Sequence, residues 1–258
     1  MSTRRVALVT GSARGIGRAI AERLAPDHDC VVHGRRDARA AAEVARSIEA
    51  QGGQALVVTA DLADPAQVAG LAEATLGRFG RVDTLVANAA ATAFRPLVDV
   101  TGRHSRLTFA TVVDGLVELV HRLAPAMGAG GRILTIGGLD ARFAQSGHGL
   151  LGGAKAALEA LTRSWAVELG PRGVTANTIV PGPVLTDSLE AYLGGREDVR
   201  ALLVDHTPVG RLCTPSDVAD VAAFLVSPAA AMISGQVVTV DGGISAQGGP
   251  WGAMRDLW

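Results

Sequence analysis

The feature that most constrains this chain is an alternation. Short apolar runs of strand length are separated by stretches with a helical period. The first run, Val6–Thr10, passes into a glycine-rich turn and then an amphipathic stretch, Gly17–Leu24. Further strand runs fall at Cys30–His33, Ala55–Thr59, Thr84–Ala87, Arg132–Ile136, Thr175–Val180 and Val237–Val240. Helical patterns lie between them at Arg39–Ala50, Pro65–Phe79, Thr108–Met127, Gly153–Leu169 and Pro215–Leu225, the last with Thr214 as its cap. Strands apolar on both faces and joined through helices predict a parallel sheet with helices on either side.

The predicted fold class is therefore α/β, a Rossmann-type doubly wound parallel sheet of seven strands. No Pro-, Gly- or Ser-rich linker interrupts the 258 residues, so one domain is expected over 1–258. Two segments depart from the alternation. Residues 183–213 are long and only partly helical. The tail, 247–258, carries Trp251 and Trp258, which either pack on a neighbouring surface or close part of a ligand pocket.

Composition removes several function classes. The formal net charge is -1 and no basic stripe is evident, which argues against nucleic acid or an anionic membrane as partner. No apolar run reaches the ~18 residues of a membrane helix. The N-terminus runs straight into a strand pattern, and a cytoplasmic location is expected. Cys30 and Cys213 supply neither a disulfide framework nor a zinc site, and no metal is expected.

The turn after the first strand reads Thr10-Gly11-Ser12-Ala13-Arg14-Gly15-Ile16-Gly17. Glycines at a strand-to-helix turn let backbone N–H groups approach a pyrophosphate at the helix N-terminus. Its position at the first such turn makes this a dinucleotide signal. An acidic residue at the end of the second strand would bind a ribose 2′-hydroxyl, and basic residues a 2′-phosphate. Here stand Arg35 and Arg36, with Arg14 inside the loop, so NADPH is the expected cofactor. Asp37 keeps NADH open.

The glycine loop, Asp61-Leu62, Asn88-Ala89-Ala90, Lys155, Asn177 and Pro181-Gly182 occur in one order that resembles the short-chain dehydrogenase/reductase family over nearly the whole chain. From Gly131 to Gly243 it is most similar to an enoyl-acyl-carrier-protein reductase branch, through Lys155–Arg163, Thr207–Arg211 and Met232–Gln236. The resemblance implies that Asp61, with Leu62, binds the adenine. It implies that Asn88 lines the cofactor groove, and that Pro181, Gly182, Val184 and Thr186 hold the nicotinamide carboxamide. It also implies a substrate-covering role for 183–213. A homo-oligomer, tetramer or dimer, is implied through helices beginning near residues 108 and 153; Ala156, Leu158, Ala160, Leu161 and Trp165 form an apolar stripe that would serve there or in the core.

The family's chemistry rests on an Asn, a Ser, a Tyr and a Lys. Alignment by resemblance puts Val112, Gly138 and Leu151 at the first three positions and keeps only Lys155. The single Tyr, Tyr192, lies 41 residues beyond Leu151, and the two Asn are Asn88 and Asn177. Lys155 is also the one lysine among 24 basic residues. Its expected role is to bond the nicotinamide ribose, or to donate a proton if burial depresses its pKa. Losing the phenol removes the positioned acid but not the hydride source, which belongs to the cofactor. His148, where the enoyl-reductase branch places its Tyr, is the candidate replacement acid. Ser146 is a second candidate, and Asp140 and Arg142 lie in the same loop.

Three readings follow. One is an NADPH-dependent reductase of an enone, ketone or acyl thioester with an unusual acid. The second is a non-redox cyclase, isomerase or dehydratase that needs no cofactor, with a pocket lined by Val112, Gly138 and Leu151. The third is a catalytically inactive partner of an active homologue. The Arg-over-Lys bias and the Ala and Gly richness point to a high-GC bacterium, with secondary metabolism as the expected setting.

Overall fold

The computed structural model describes residues 4–247; Trp251 and Trp258, and with them the reading of the tail, lie outside the described residues. Seven strands, β1 Arg5–Val9, β2 His28–Gly34, β3 Ala55–Thr59, β4 Thr84–Ala87, β5 Arg132–Ile136, β6 Thr175–Pro181 and β7 Val237–Val240, form one sheet. Their order is β3-β2-β1-β4-β5-β6-β7, and every pairing is parallel. The chain winds outward in one direction from β1 and in the other from β4. The crevice beyond the carboxyl ends of these two strands is where doubly wound sheets bind ligands.

The helices are α1 Gly15–Leu24, α2 Ala38–Ala50, α3 Pro65–Phe79, α4 Gly102–Phe109, α5 Gly115–Leu123, α6 Gly149–Leu169, α7 Asp187–Leu193, α8 Glu197–Asp205 and α9 Pro215–Val226. Ile20 of α1, Ile48 of α2 and Leu225 of α9 fill one face of the sheet. Leu71 of α3, Leu119 of α5 and Leu158 of α6 fill the other. Each such buried side chain contributes about 1.5–3 kcal/mol of transfer free energy, so both faces are anchored and the strand ends form a fixed rim. Thr214 caps α9 in a reciprocal box with Asp217, whose carboxylate also takes two bonds from Arg211.

Two helical starts differ from the sequence reading by four residues or more. The pattern expected from Thr108 begins at Gly102, because α4 buries only Thr108 and shows no apolar period before it. Its start is set by the Thr101 N–H, which donates to Nδ1 of His104 at 3.2 Å. The helical path from α4 to α5 is also not uniform, since Ala110–Asp114 widens into a π turn. Second, α6 starts at Gly149 and not Gly153, with Leu150 buried in its first turn. The apolar stripe on α6 divides: Leu158 and Trp165 are core, whereas Ala156 and Ala160 are exposed.

Candidate active site

Two cavities open at the carboxyl rim of the sheet. The first, about 550 Å³, is lined by the turn after β1 (Gly11, Arg14, Gly15), the end of β2 (Arg35, Arg36), Asp61-Leu62 after β3 and Asn88 after β4. The backbone there is tightly specified. Gly11 and Gly15 have φ of +64° and +56°, a region that disfavours side chains. A Cβ on Gly17 would lie 2.5 Å from both Asn88 Nδ2 and Gly11 O, so the first helix turn packs on the loop only through a glycine. Asn88 Nδ2 donates to the carbonyls of Thr10 and Gly11, joining the ends of β1 and β4.

His33, which sequence reasoning overlooked, is the keystone of this loop. Its Nδ1 accepts the Gly11 N–H at 3.0 Å, and its Nε2 lies 3.0 Å from the Ala60 carbonyl. Because Nδ1 accepts, Nε2 carries the proton and the ring is neutral. Burial holds its pKa below the usual imidazole value, while the Ala60 carbonyl and Asp61 pull the other way. Ser12 is fully buried and does not line the cavity. Its hydroxyl donates to Val9 O and accepts from the His33 N–H, so it braces the loop from behind, which corrects the expectation of a ligand contact.

Arg14, Arg35 and Arg36 are exposed at the rim of this cavity, and Arg35 lies 3.9 Å from Asp61. The Asp37 carboxylate accepts from the Ala40 N–H and caps α2.

The second cavity, about 260 Å³, adjoins the first, with Ile16, Thr186 and Ser188 lining both. Its walls are mostly apolar and include Leu151, Val184 and Leu189, with Pro181 and Gly182 at the end of β6. From 183–213, Tyr192, Val199 and Leu203 also line it. Lys155 lines it from α6; its Nζ donates to Ile136 O at the end of β5. Burial lowers the Lys155 pKa to about 8 against a smaller upward pull from Asp140.

His148 lines the cavity just before α6. Its ring centroid is 4.7 Å from that of Phe94 and 5.0 Å from that of Tyr192. Its Nδ1 lies 3.5 Å from Asp140 Oδ2, within ion-pair reach but longer than a formed hydrogen bond. Its Nε2 is buried and has no hydrogen-bond partner among the described residues. Tyr192 accepts from Gln145 Nε2 at 3.2 Å, and burial pushes its phenol above the usual value.

Several expected residues are placed elsewhere. Ser146 is exposed on the turn and does not line the cavity, which corrects its candidacy as an acid. Val112 sits in the π turn with its side chain in the core beneath the sheet, so only Gly138 and Leu151 of the expected trio line the pocket. Arg142 is turned to Glu159, 3.4 Å away. Asp140, Phe94 and Ser188 line the cavity with little signal in the sequence, because loop geometry rather than periodicity brings them there.

A sequence model described as enoyl-(acyl carrier protein) reductase matches residues 11–245. The chain belongs to the short-chain dehydrogenase/reductase family. It is 36% identical to an uncharacterized oxidoreductase of Methylorubrum extorquens, over 93% of this chain and 97% of that one. It is 35% identical to 1-cyclohexenylcarbonyl-CoA reductase of Streptomyces collinus, over 96% of this chain and 89% of that one. Among solved structures, a short chain dehydrogenase from Burkholderia cenocepacia in complex with NADP superimposes with a TM-score of 0.87 at 36% identity, covering 94% of this chain and 98% of that one. No helix among the described residues is long and apolar enough to cross a membrane.

Proposed function

We propose that this family member is an NADP(H)-dependent reductase of an enone or ketone whose proton donor differs from the family's usual phenol. One observation carries the reading. The glycine-loop cavity, rimmed by arginines, meets a largely apolar cavity lined by Lys155 and His148. The residues fit a dinucleotide. Gly15 opens α1 at the cavity, Gly11 and Asn88 shape the loop beside it, and Asp61 and Leu62 line the end where an adenine would lie.

NADPH is favoured over NADH because Arg14, Arg35 and Arg36 offer planar donors suited to a 2′-phosphate. The carboxylate that would favour NADH, Asp37, is engaged in capping α2. Bound reduced nicotinamide supplies hydride. Lys155 would bond its ribose, while Pro181, Gly182, Val184 and Thr186 would hold the carboxamide end.

In this reading Val112, Gly138 and Leu151 stand in place of the family's Asn, Ser and Tyr, and His148 donates the proton to the substrate oxygen. Tyr192 is the poorer donor, since burial disfavours its phenolate. The apolar walls suit a substrate with a largely apolar body, and 183–213 covers it. Titratable groups lining one cavity support an active enzyme over an inactive partner. Ala156, Ala160 and Val167 are exposed at four- and seven-residue spacings on α6, which supports a homo-oligomeric contact on that helix.

The test is NADPH oxidation by the purified protein over a panel of cyclic enones, aromatic ketones and acyl thioesters. Oxidation with stoichiometric reduced product supports the reading. Background rates throughout, with a non-redox product formed in the absence of nucleotide, favour the cyclase, isomerase or dehydratase alternative.

A further inference from the structure

Gly138 does more than omit a side chain. A Cβ built on it would lie 2.3 Å from Asp140 Oδ1 and 3.8 Å from Lys155 Cγ, so the Asp140 carboxylate already fills the space a side chain at 138 would take. The backbone is equally committed. A Cβ on Gly152, in the first turns of α6, would lie 2.2 Å from the Asp140 carbonyl oxygen. Two glycines thus make room for one aspartate, one for its carboxylate and one for its main chain. The carboxylate is mostly buried, with side-chain exposure of 9%, and lines the cavity shared by His148 and Lys155. Arg142 in the same loop is paired with Glu159, and Tyr192 faces the cavity from α7.

We infer that Asp140 is the positioning residue of a rebuilt proton-donor set, turning the His148 ring through Nδ1 in the cavity that Lys155 also lines. This rests on the reductase reading given above. A proton on Nδ1, the nitrogen 3.5 Å from Asp140 Oδ2, would leave the partnerless Nε2 to meet a ligand. In the step it serves, the Nε2–H bond of the imidazolium breaks and an O–H bond forms on the substrate oxygen. The two electrons come as hydride from reduced nicotinamide, which leaves oxidised, and water returns the proton to Nε2. Asp140 takes no part in the bond changes and only faces the ring from the Nδ1 side. The polar function of position 138 has therefore moved two residues along the chain.

The chain's composition makes this directly measurable without a known substrate. Lys155 is the one lysine, so protein labelled with [13Cε]lysine gives a single ε-carbon resonance. Nitrogen-15 labelling of histidine reports which ring nitrogen of His148 carries the proton. The wild-type protein is expected to show the Nδ1–H tautomer for neutral His148. D140N is expected to lower the Lys155 midpoint by roughly half a unit or more, through loss of a nearby opposite charge, and to change the tautomer balance of His148. G138A, which adds a methyl where the carboxylate sits, is expected to move both signals the same way and carries the test if D140N does not fold. An Nε2–H tautomer in the wild type, or a Lys155 midpoint unmoved in the folded variants, would overturn the assignment. Failure of the wild type to bind or oxidise NADPH would instead count against the reductase reading and leave these resonances to judge Asp140.

Discussion

His33 holds the Gly11 N–H on its Nδ1 and offers its Nε2–H to Ala60, so one neutral ring ties the turn after β1 to the ends of β2 and β3. Replacing it removes a buried acceptor and a buried donor at once. His33→Ala is expected to cost about 1–3 kcal/mol of stability and to weaken NADPH binding. Urea unfolding and nucleotide fluorescence titration would check it; unchanged affinity in a folded variant would show that the loop is held by other means.

The buried histidines set an acid limit on stability. Burial, helped by Arg5, lowers His28 to about 4 from 6.5, and burial lowers His33 as well. For a lowered histidine, the unfolded chain takes up the proton first as pH falls. The stability is therefore complete above about pH 6.5 and is lost on acidification towards pH 4, with His28 alone contributing up to about 3 kcal/mol. Melting temperature is expected to fall across this window, and His28→Gln should flatten the slope. A flat profile in the wild type would contradict the burial of these rings.

Gly17→Ala probes the close packing of loop and helix. Its Cβ would meet Asn88 Nδ2 and Gly11 O at 2.5 Å, one a side chain and the other main chain. Overpacking of this kind typically costs about 1–3 kcal/mol. The variant is expected to unfold at lower urea and to bind NADPH more weakly, read by the same titrations.

Much of this architecture was legible in the sequence, and the physical reasons for success and failure differ by residue. Ala55–Thr59, a half-buried run, and Thr84–Ala87, a buried one, are short apolar strand runs whose bounds emerged unchanged. The start of α4 was hidden because a polar helix that buries only Thr108 has no period to read, although Thr101 and His104 carried a capping signal. Ser12 and Val112 have residue types that fit either a site or a core, and burial decided for the core. The placing of the Asp140 carboxylate in the room left by Gly138 depends on the path of one loop across α6, which no periodicity encodes.

Arg35 and Arg36 should decide which nucleotide is held. A charge-assisted bond is worth about 1.5–3 kcal/mol, so removing both guanidinium groups is expected to weaken NADPH by about 10- to 100-fold or more and to leave NADH little changed. Equal losses for both nucleotides would indicate a structural effect.

The central claim is tested most directly by titrating cofactor-stripped wild-type protein with NADPH and with NADH, followed by binding heat or nucleotide fluorescence. The account predicts saturable binding of NADPH at least about tenfold tighter than NADH, from the contacts of Arg14, Arg35 and Arg36 with the 2′-phosphate. Equal affinity for the two would contradict the arginine reading, and no binding of either would contradict the reductase itself.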